Sequence, residues 1–131
     1  MSFKSFEELE VWKKARDLRK QISSVTKTFP KEETYRLADQ LLRSSRSISA
    51  NIAEGFGRFH HQENIQFCRI AGGSLYETLE HIICAVDENY ITKDLYQNLR
   101  KQFDVVLKLL NGYIAYLKKT KSTQQPNNPT T

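Results

Sequence analysis

Residues 44–58 read SSRSISANIAEGFGR, and they combine the apolar spacing of an amphipathic helix with many small and polar side chains. Ile48 and Ile52 continue an apolar stripe from Leu41 at four- and seven-residue steps, which share one helix face. A second stripe on the neighbouring face consists of Ser44, Ser47, Asn51 and Glu54. Small side chains let another backbone come close, and polar groups held there need hydrogen-bond partners. The pattern predicts a helix with neighbours on more than one side.

Glycines and basic residues follow this stripe. Glycine adopts the left-handed conformation that ends many helices, so Gly55 and Gly57 predict a sharp turn at the helix end. Arg58, His60 and His61 then place basic or titratable groups at that end, where the helix dipole is negative.

Helical periodicity extends to both sides of this segment. It predicts four helices: residues 5–28 before Pro30, residues 34–54, residues 61–88 with Gly72 and Gly73 in the middle, and a fourth that begins at the N-cap Thr92. The expected core consists of Trp12, Leu18, Leu41, Ile48, Ile52, Leu75, Leu79, Ile82, Phe103, Val106 and Leu110. No segment alternates as a strand does. The sequence therefore predicts an all-α, antiparallel up-and-down four-helix bundle over residues 1–121 and a disordered polar tail over residues 122–131.

Composition narrows the class of protein. The 131 residues suit one domain, and no apolar run approaches the roughly 18 residues that cross a bilayer. Met1 to Lys4 lack the apolar region of a signal peptide, and two isolated thiols, Cys68 and Cys84, fit a reducing compartment. We therefore expect a cytoplasmic protein without membrane contact. The net charge of +5 favours an anionic partner.

Several motifs occur in the order that is typical of one family, and the chain closely resembles the bacterial four helix bundle proteins, also called 23S rRNA intervening-sequence proteins. The resemblance is carried by FEELEVWKKA at 6–15, RSI at 46–48, NIAEG at 51–55 with Gly57 and Arg58, Phe67, Ile70, Ala71, GSL at 73–75 and Glu77. It covers residues from about Phe6 to Tyr116. It implies a small up-and-down bundle that forms a homo-oligomeric ring, a pentamer in known relatives, with no established enzymatic activity. The fold is also similar to the accessory variability protein of diversity-generating retroelements, a basic five-fold barrel that works with a reverse transcriptase.

Catalytic and metal-binding patterns are weak. Gly55 and Gly57 follow a helix rather than a strand, and His60 stands where a dinucleotide fingerprint needs its third glycine. Glu77, His81 and Cys84 follow i, i+4, i+7 spacing, so a mixed metal site is geometrically possible. Cys84 lies among apolar neighbours, however, which favours a core thiol. We expect no enzyme, no metal and no cofactor.

Two carboxylates, Glu54 and Glu77, are expected to be buried because each has small or apolar neighbours. A paired acid and base is one interpretation. The structural alternative pairs Glu54 with Arg58 and lets Glu77 bridge helices through Ser74 or the second helix. The predicted helix or subunit contact combines these two carboxylates with small and polar residues of the second and third helices. Its members are Ser44, Ser47, Asn51, Glu54, Gly73 and Glu77.

Basic residues on the first two helices suggest a phosphate-binding surface. On the first helix, Lys13, Lys14, Arg16, Arg19 and Lys20 are interleaved with acidic residues, which favours a solvated, salt-bridged face. Between Arg36 and His61 the sequence contains only two acidic residues, Asp39 and Glu54, so less of the positive charge is neutralised. The candidate nucleic-acid contacts are Arg36, Arg43, Arg46, Arg58, His60 and His61. We expect a non-enzymatic homo-oligomer associated with structured RNA, an RNA-containing assembly or DNA; the alternative is a scaffold that binds another protein.

Overall fold

The computed structural model describes residues 3–124, with side chains to residue 120, and within these bounds the chain is helical and contains no strand. The four α-helices are α1, Glu10–Thr26; α2, Leu37–Phe56; α3, His61–Asp87; and α4, Lys93–Gln124. Short 3-10 helices at Phe6–Glu8 and Lys31–Glu33 precede α1 and α2. α4 extends to Gln124, so residues 122–124 of the predicted disordered tail are helical, and residues 125–131 lie outside the described residues. None of the described helices is both long and apolar enough to cross a membrane.

The helix ends differ from the prediction where the chain turns sharply. Leu9 is extended and buried, so the predicted first helix divides into the turn Phe6–Glu8 and α1. After Pro30 the chain forms a 3-10 turn, which delays the start of α2 to Leu37. The predicted N-cap of α4 is confirmed, because the Leu95 amide donates to Thr92 Oγ1 at 3.1 Å.

Each helix packs on two others. α2 lies between α1 and α3, and α4 contacts both α3 and α1. In the described part of the chain, no Cα atoms of α1 and α3, or of α2 and α4, come within 8 Å of each other. Every predicted core residue is buried except Trp12, which is half-buried and packs edge-on against Phe6 with ring centroids 5.1 Å apart. Each fully buried Leu or Ile contributes roughly 1.5 to 3 kcal/mol to the free energy of unfolding.

The predicted left-handed glycine at the end of α2 is wrong. α2 continues to Phe56, Gly57 has φ −75°, and none of the five glycines has a positive φ. Gly55 has a different purpose, because a Cβ there would lie 2.7 Å from Asn64 Oδ1 and 2.9 Å from Phe67 Cβ. The missing side chain lets the first turn of α3 pack directly on α2.

The left-handed conformation occurs instead after α3, at Asn89, whose φ is 62°. The Tyr90 amide donates to the Ala85 carbonyl oxygen at 2.8 Å there, which closes the helix end. Asparagine tolerates this conformation better than other non-glycine residues do. The chain then reaches α4 through a short loop.

Gly73 was predicted to lie at a helix or subunit contact, and among the described residues no other helix packs closely on it or on Gly72. A Cβ on Gly72 would lie at an ordinary 3.6 Å from Leu110 Cδ2, and a Cβ on Gly73 would have no neighbour within 4 Å. α3 is continuous through both residues. Neither glycine is required by the packing of the single chain.

We predict that Gly55→Ala lowers the free energy of unfolding by up to about 2 kcal/mol. The overlap with α3 costs about 1 to 3 kcal/mol, and the higher helix propensity of alanine offsets only about 1 kcal/mol. Gly112→Ala is the matched control, because it lies within α4 and its added Cβ has no neighbour within 4 Å. Chemical denaturation should show a stabilised control. A Gly55→Ala variant as stable as the control would show that the close approach is not required.

Candidate nucleic-acid surface

Three of the predicted contact residues form hydrogen bonds along the α2–α3 contact. The Thr78 hydroxyl donates to the Ser74 carbonyl oxygen at 2.8 Å and lies 2.9 Å from Ser44 Oγ. Ser47 Oγ lies 2.8 Å from Ser74 Oγ. Asn51 Nδ2 donates to the Ser47 carbonyl oxygen at 2.8 Å. The polar stripe of α2 therefore finds its partners on α3 and within α2 itself.

The other three predicted contact residues, Glu54, Gly73 and Glu77, lie on the outer surface. The expectation that both carboxylates are buried is wrong for the single chain, because the Glu54 and Glu77 side chains are 55% and 59% exposed. Each pairs one turn further along its own helix: Glu54 with Arg58 at 3.0 Å, and Glu77 with His81 at 3.2 Å. Glu77 does not bridge to Ser74 or to α2 in these contacts. The two carboxylates therefore stay on the solvent side of their helices.

The possible metal ligands on α3 do not converge. Cys84 is half-buried, and its sulfur lies 3.7 Å from Glu80 Oε2, whereas His81 pairs with Glu77. Burial, and then the neighbouring Glu80 carboxylate, raises the pKa of the Cys84 thiol, which disfavours the thiolate that binds metal. No group of three His, Cys, Asp or Glu side chains within residues 3–120 is arranged to hold a metal ion. Cys68 is fully buried, and that burial raises its pKa to about 12.

Arg58 is held in place by its neighbours. Its guanidinium lies 3.0 Å from Glu54 Oε2 and 4.0 Å from Glu63 Oε1, and its Cζ lies 4.7 Å from the centre of the Phe67 ring. Two carboxylates therefore balance the charge that the sequence suggested for phosphate binding. Arg58 instead connects the end of α2 to the first turns of α3.

The two histidines occupy different positions at the start of α3. His60 is exposed and stacks edge-on with the exposed Phe59, with ring centroids 5.3 Å apart. His61 is half-buried, and its Nδ1 is buried without a hydrogen-bond partner among the described residues. Only His60 therefore presents its ring fully to solvent.

The arginines in and just before α2 are exposed, but they differ in whether an acidic side chain lies nearby. Arg36 directly precedes the helix and is exposed, and Arg43 is exposed but lies 3.9 Å from Asp39. Arg46 is exposed and forms no ion pair with any described residue. Arg36 and Arg58 flank opposite ends of α2, about 30 Å apart along a helix of this length. The six predicted residues therefore do not form one continuous patch.

We predict that Thr78→Val lowers the free energy of unfolding by about 1 kcal/mol, because it removes the hydroxyl that joins α3 to Ser44 while preserving the shape of the side chain. Thr120→Val is the matched control, since among the described residues its hydroxyl bonds to the Tyr116 carbonyl oxygen of its own helix and joins no second helix. Equal effects of the two substitutions in chemical denaturation would contradict a stabilising role for the buried polar contact.

The chain matches one protein-family model and is similar to a solved structure. A family model described as 23S rRNA-intervening sequence protein matches residues 7–112. The chain is similar to the crystal structure of a protein of unknown function from the S23 ribosomal protein family of Bacteroides thetaiotaomicron, with 26% sequence identity and a TM-score of 0.74. That match covers 80% of this chain and 95% of the other. No curated protein matches the chain.

Proposed function

The chain belongs to the 23S rRNA-intervening sequence protein family, and on this basis we propose that it is a non-enzymatic, homo-oligomeric helical bundle that associates with structured RNA or an RNA-containing assembly. Family membership is the observation that carries the proposal. The net charge of +5 and the unpaired Arg46 on the outer surface of α2 support it, because phosphate groups attract such cations and release their counterions on contact.

We also propose that the four helices run up and down, antiparallel to their neighbours. Residue pairs that contact each other across neighbouring helices support this arrangement. A higher residue number on one helix is paired with a lower number on the next, as in antiparallel packing. Between α2 and α3 the pairs are Ser44 with Thr78, Ser47 with Ser74, and Gly55 with Asn64. Between α3 and α4 they are Asn64 with Tyr113, Gly72 with Leu110, and Tyr76 with Phe103.

The proposed subunit contact lies on the outer face of α3. Ile70, Gly73 and Glu77 share this face at i, i+3, i+7 spacing, and Ile70 is 48% exposed. A glycine within a helix costs about 1 kcal/mol relative to alanine, and no described residue lies close enough to require one at position 73. A close approach by a second copy explains both the exposed isoleucine and the glycine. The family resemblance favours a ring of five.

A protein scaffold without a nucleic-acid role is the alternative function. The exposed Ile70, Tyr76 and Val105 favour it, because exposed apolar side chains also mark protein contacts. Absence of catalysis is part of both proposals. It is supported by the thiol of Cys68, which is buried and has a pKa near 12, and by His81, whose described partner is a surface carboxylate.

We predict that Gly73→Lys lowers the oligomer mass measured by light scattering, because a long charged side chain blocks the close approach of a second subunit. Gly112→Lys is the matched control, since it adds the same side chain at another open helical glycine. Circular dichroism should show full helicity for both. An unchanged mass for Gly73→Lys, or a monomeric wild-type protein, would contradict the proposed subunit contact.

We predict that the purified protein binds a labelled RNA hairpin with an affinity that falls steeply as salt rises, since phosphate contacts release counterions. Arg43→Ala combined with Arg46→Ala should weaken binding while the oligomer persists. Duplex DNA in a parallel titration tests whether the surface distinguishes the two nucleic acids. A correctly assembled protein that binds neither at low salt would favour the scaffold function instead.

A further inference from the structure

A shallow cleft between α1 and α2 collects cations that are far apart in the sequence. It has a volume of about 260 Å³ and is lined by Arg19, Lys20, Ser23 and Arg46. Three of these side chains are basic, the fourth offers a hydroxyl, and no carboxylate of the described residues lines the cleft. This composition is suited to a phosphate group, which accepts hydrogen bonds from both guanidinium and hydroxyl donors.

Arg19 is positioned by a buried serine. Its Nε donates to Ser49 Oγ at 3.1 Å, and the Ser49 hydroxyl lies 3.4 Å from the carbonyl oxygen of Arg46. Ser49 is only 5% exposed, and Arg19 is half-buried, so the guanidinium is anchored to the wall of α2. With Nε engaged, the two terminal nitrogens keep their N–H donors for a ligand. An arginine fixed in this way loses less conformational entropy when it binds phosphate than a free surface lysine does.

The charges of the cleft are not balanced by the acidic residues that interleave with them in the sequence. Lys13 pairs with Glu10, and Asp17 lies at a second cleft, between α1 and α4. Within the described residues, Arg19, Lys20 and Arg46 form no ion pair. The expectation of a salt-bridged first-helix surface is therefore wrong for this side of α1.

The basic ridge continues beyond the cleft along α1. Arg16, Lys20 and Lys27 are all exposed and recur at spacings that place them on one helix face, over a span of about 16 Å. Such a ridge fits a polyanion with successive phosphates better than a single small anion, since each strand of a duplex carries a phosphate about every 3.4 Å of its axis.

We propose that the α1–α2 cleft, formed by Arg19, Lys20, Ser23 and Arg46, is a binding site for the backbone phosphates of RNA. This inference rests on the proposed association with RNA and locates it in the structure. Arg19 contributes a preoriented guanidinium, Lys20 and Arg46 contribute charge from the two walls, and Ser23 adds a neutral donor. The contact reads the backbone and not the bases, so it confers affinity without sequence preference.

The direct test removes two exposed cations from opposite walls of the cleft. Lys20→Gln with Arg46→Gln is compared with Lys93→Gln with Lys108→Gln, an equal charge change at exposed positions of α4, which does not contact α2. Affinity of the full-length oligomer for a labelled RNA hairpin is measured across a salt series. We expect the cleft variant to bind at least about tenfold more weakly and to reduce the slope of log affinity against log salt by about 2, because each lost phosphate contact lowers that slope by about 1.

Three outcomes would overturn the proposal in distinguishable ways. An equal loss in both double variants would overturn the cleft but leave the association with RNA intact. A wild-type oligomer that does not bind RNA would overturn the association and the cleft together. Displacement of RNA by inorganic phosphate at submillimolar concentration would identify a site for a free anion and would overturn the assignment to RNA backbone.

A second variant tests the role of the anchored guanidinium. Arg19→Lys keeps the charge but loses the bond from Nε to Ser49 and the planar fork. We expect a several-fold loss of affinity with an unchanged salt slope, whereas a general electrostatic role predicts no loss. Thermal unfolding of the same variant must match the wild type, so that the change in affinity reports on the site. Wild-type affinity for Arg19→Lys would remove Arg19 from the site.

Discussion

The direct packing of α3 on Gly55 is the constraint on which the rest of the structure depends. Because no side chain separates the helices there, the first turn of α3 lies against the end of α2. The same pairing brings Ser74 to Ser47 and Thr78 to Ser44, so the polar groups of the α2 stripe are satisfied. Burying such groups without partners would cost about 1 to 3 kcal/mol each. Close approach and hydrogen bonding therefore reinforce one another along α2 and α3.

This pairing also determines which basic residues remain available. Arg58 closes the turn between α2 and α3 by pairing with Glu54 and Glu63, so its charge serves the fold. On the other side of α2, Ser49 anchors the guanidinium of Arg19, which extends from α1. Arg46 stands free beside it on the surface. The helix that is held to α3 by small and polar contacts thus contributes one wall of a basic cleft with α1.

Much of the fold could be predicted from the sequence, because helical periodicity is a local signal. The helical spacing of Leu41, Ile48 and Ile52 correctly predicted that they are buried, and Thr92 correctly predicted where α4 begins. The role of Gly55 could not be predicted in the same way. A glycine near a helix end suggests a left-handed cap, and only the position of Asn64 and Phe67 on the next helix shows that it is needed for space. The exposure of Glu54 and Glu77 likewise depends on which side of each helix packs against its neighbours, and the local sequence does not determine this.

The candidate site was less accessible to sequence reasoning, since it joins residues 27 positions apart. The interleaved acids of the first helix suggested neutralised charge, yet Arg16, Arg19, Lys20 and Lys27 recur on one side, from which Asp17 is displaced. Sorting the charges by helix face would have shown this signal; the contribution of Arg46 required the packing of α1 on α2. Ultraviolet crosslinking of the assembled protein to an RNA hairpin, with mass spectrometric mapping, tests the central claim most directly. The account predicts crosslinks in residues 14–27 and 43–50, whereas crosslinks confined to α4, or none at all, would contradict it.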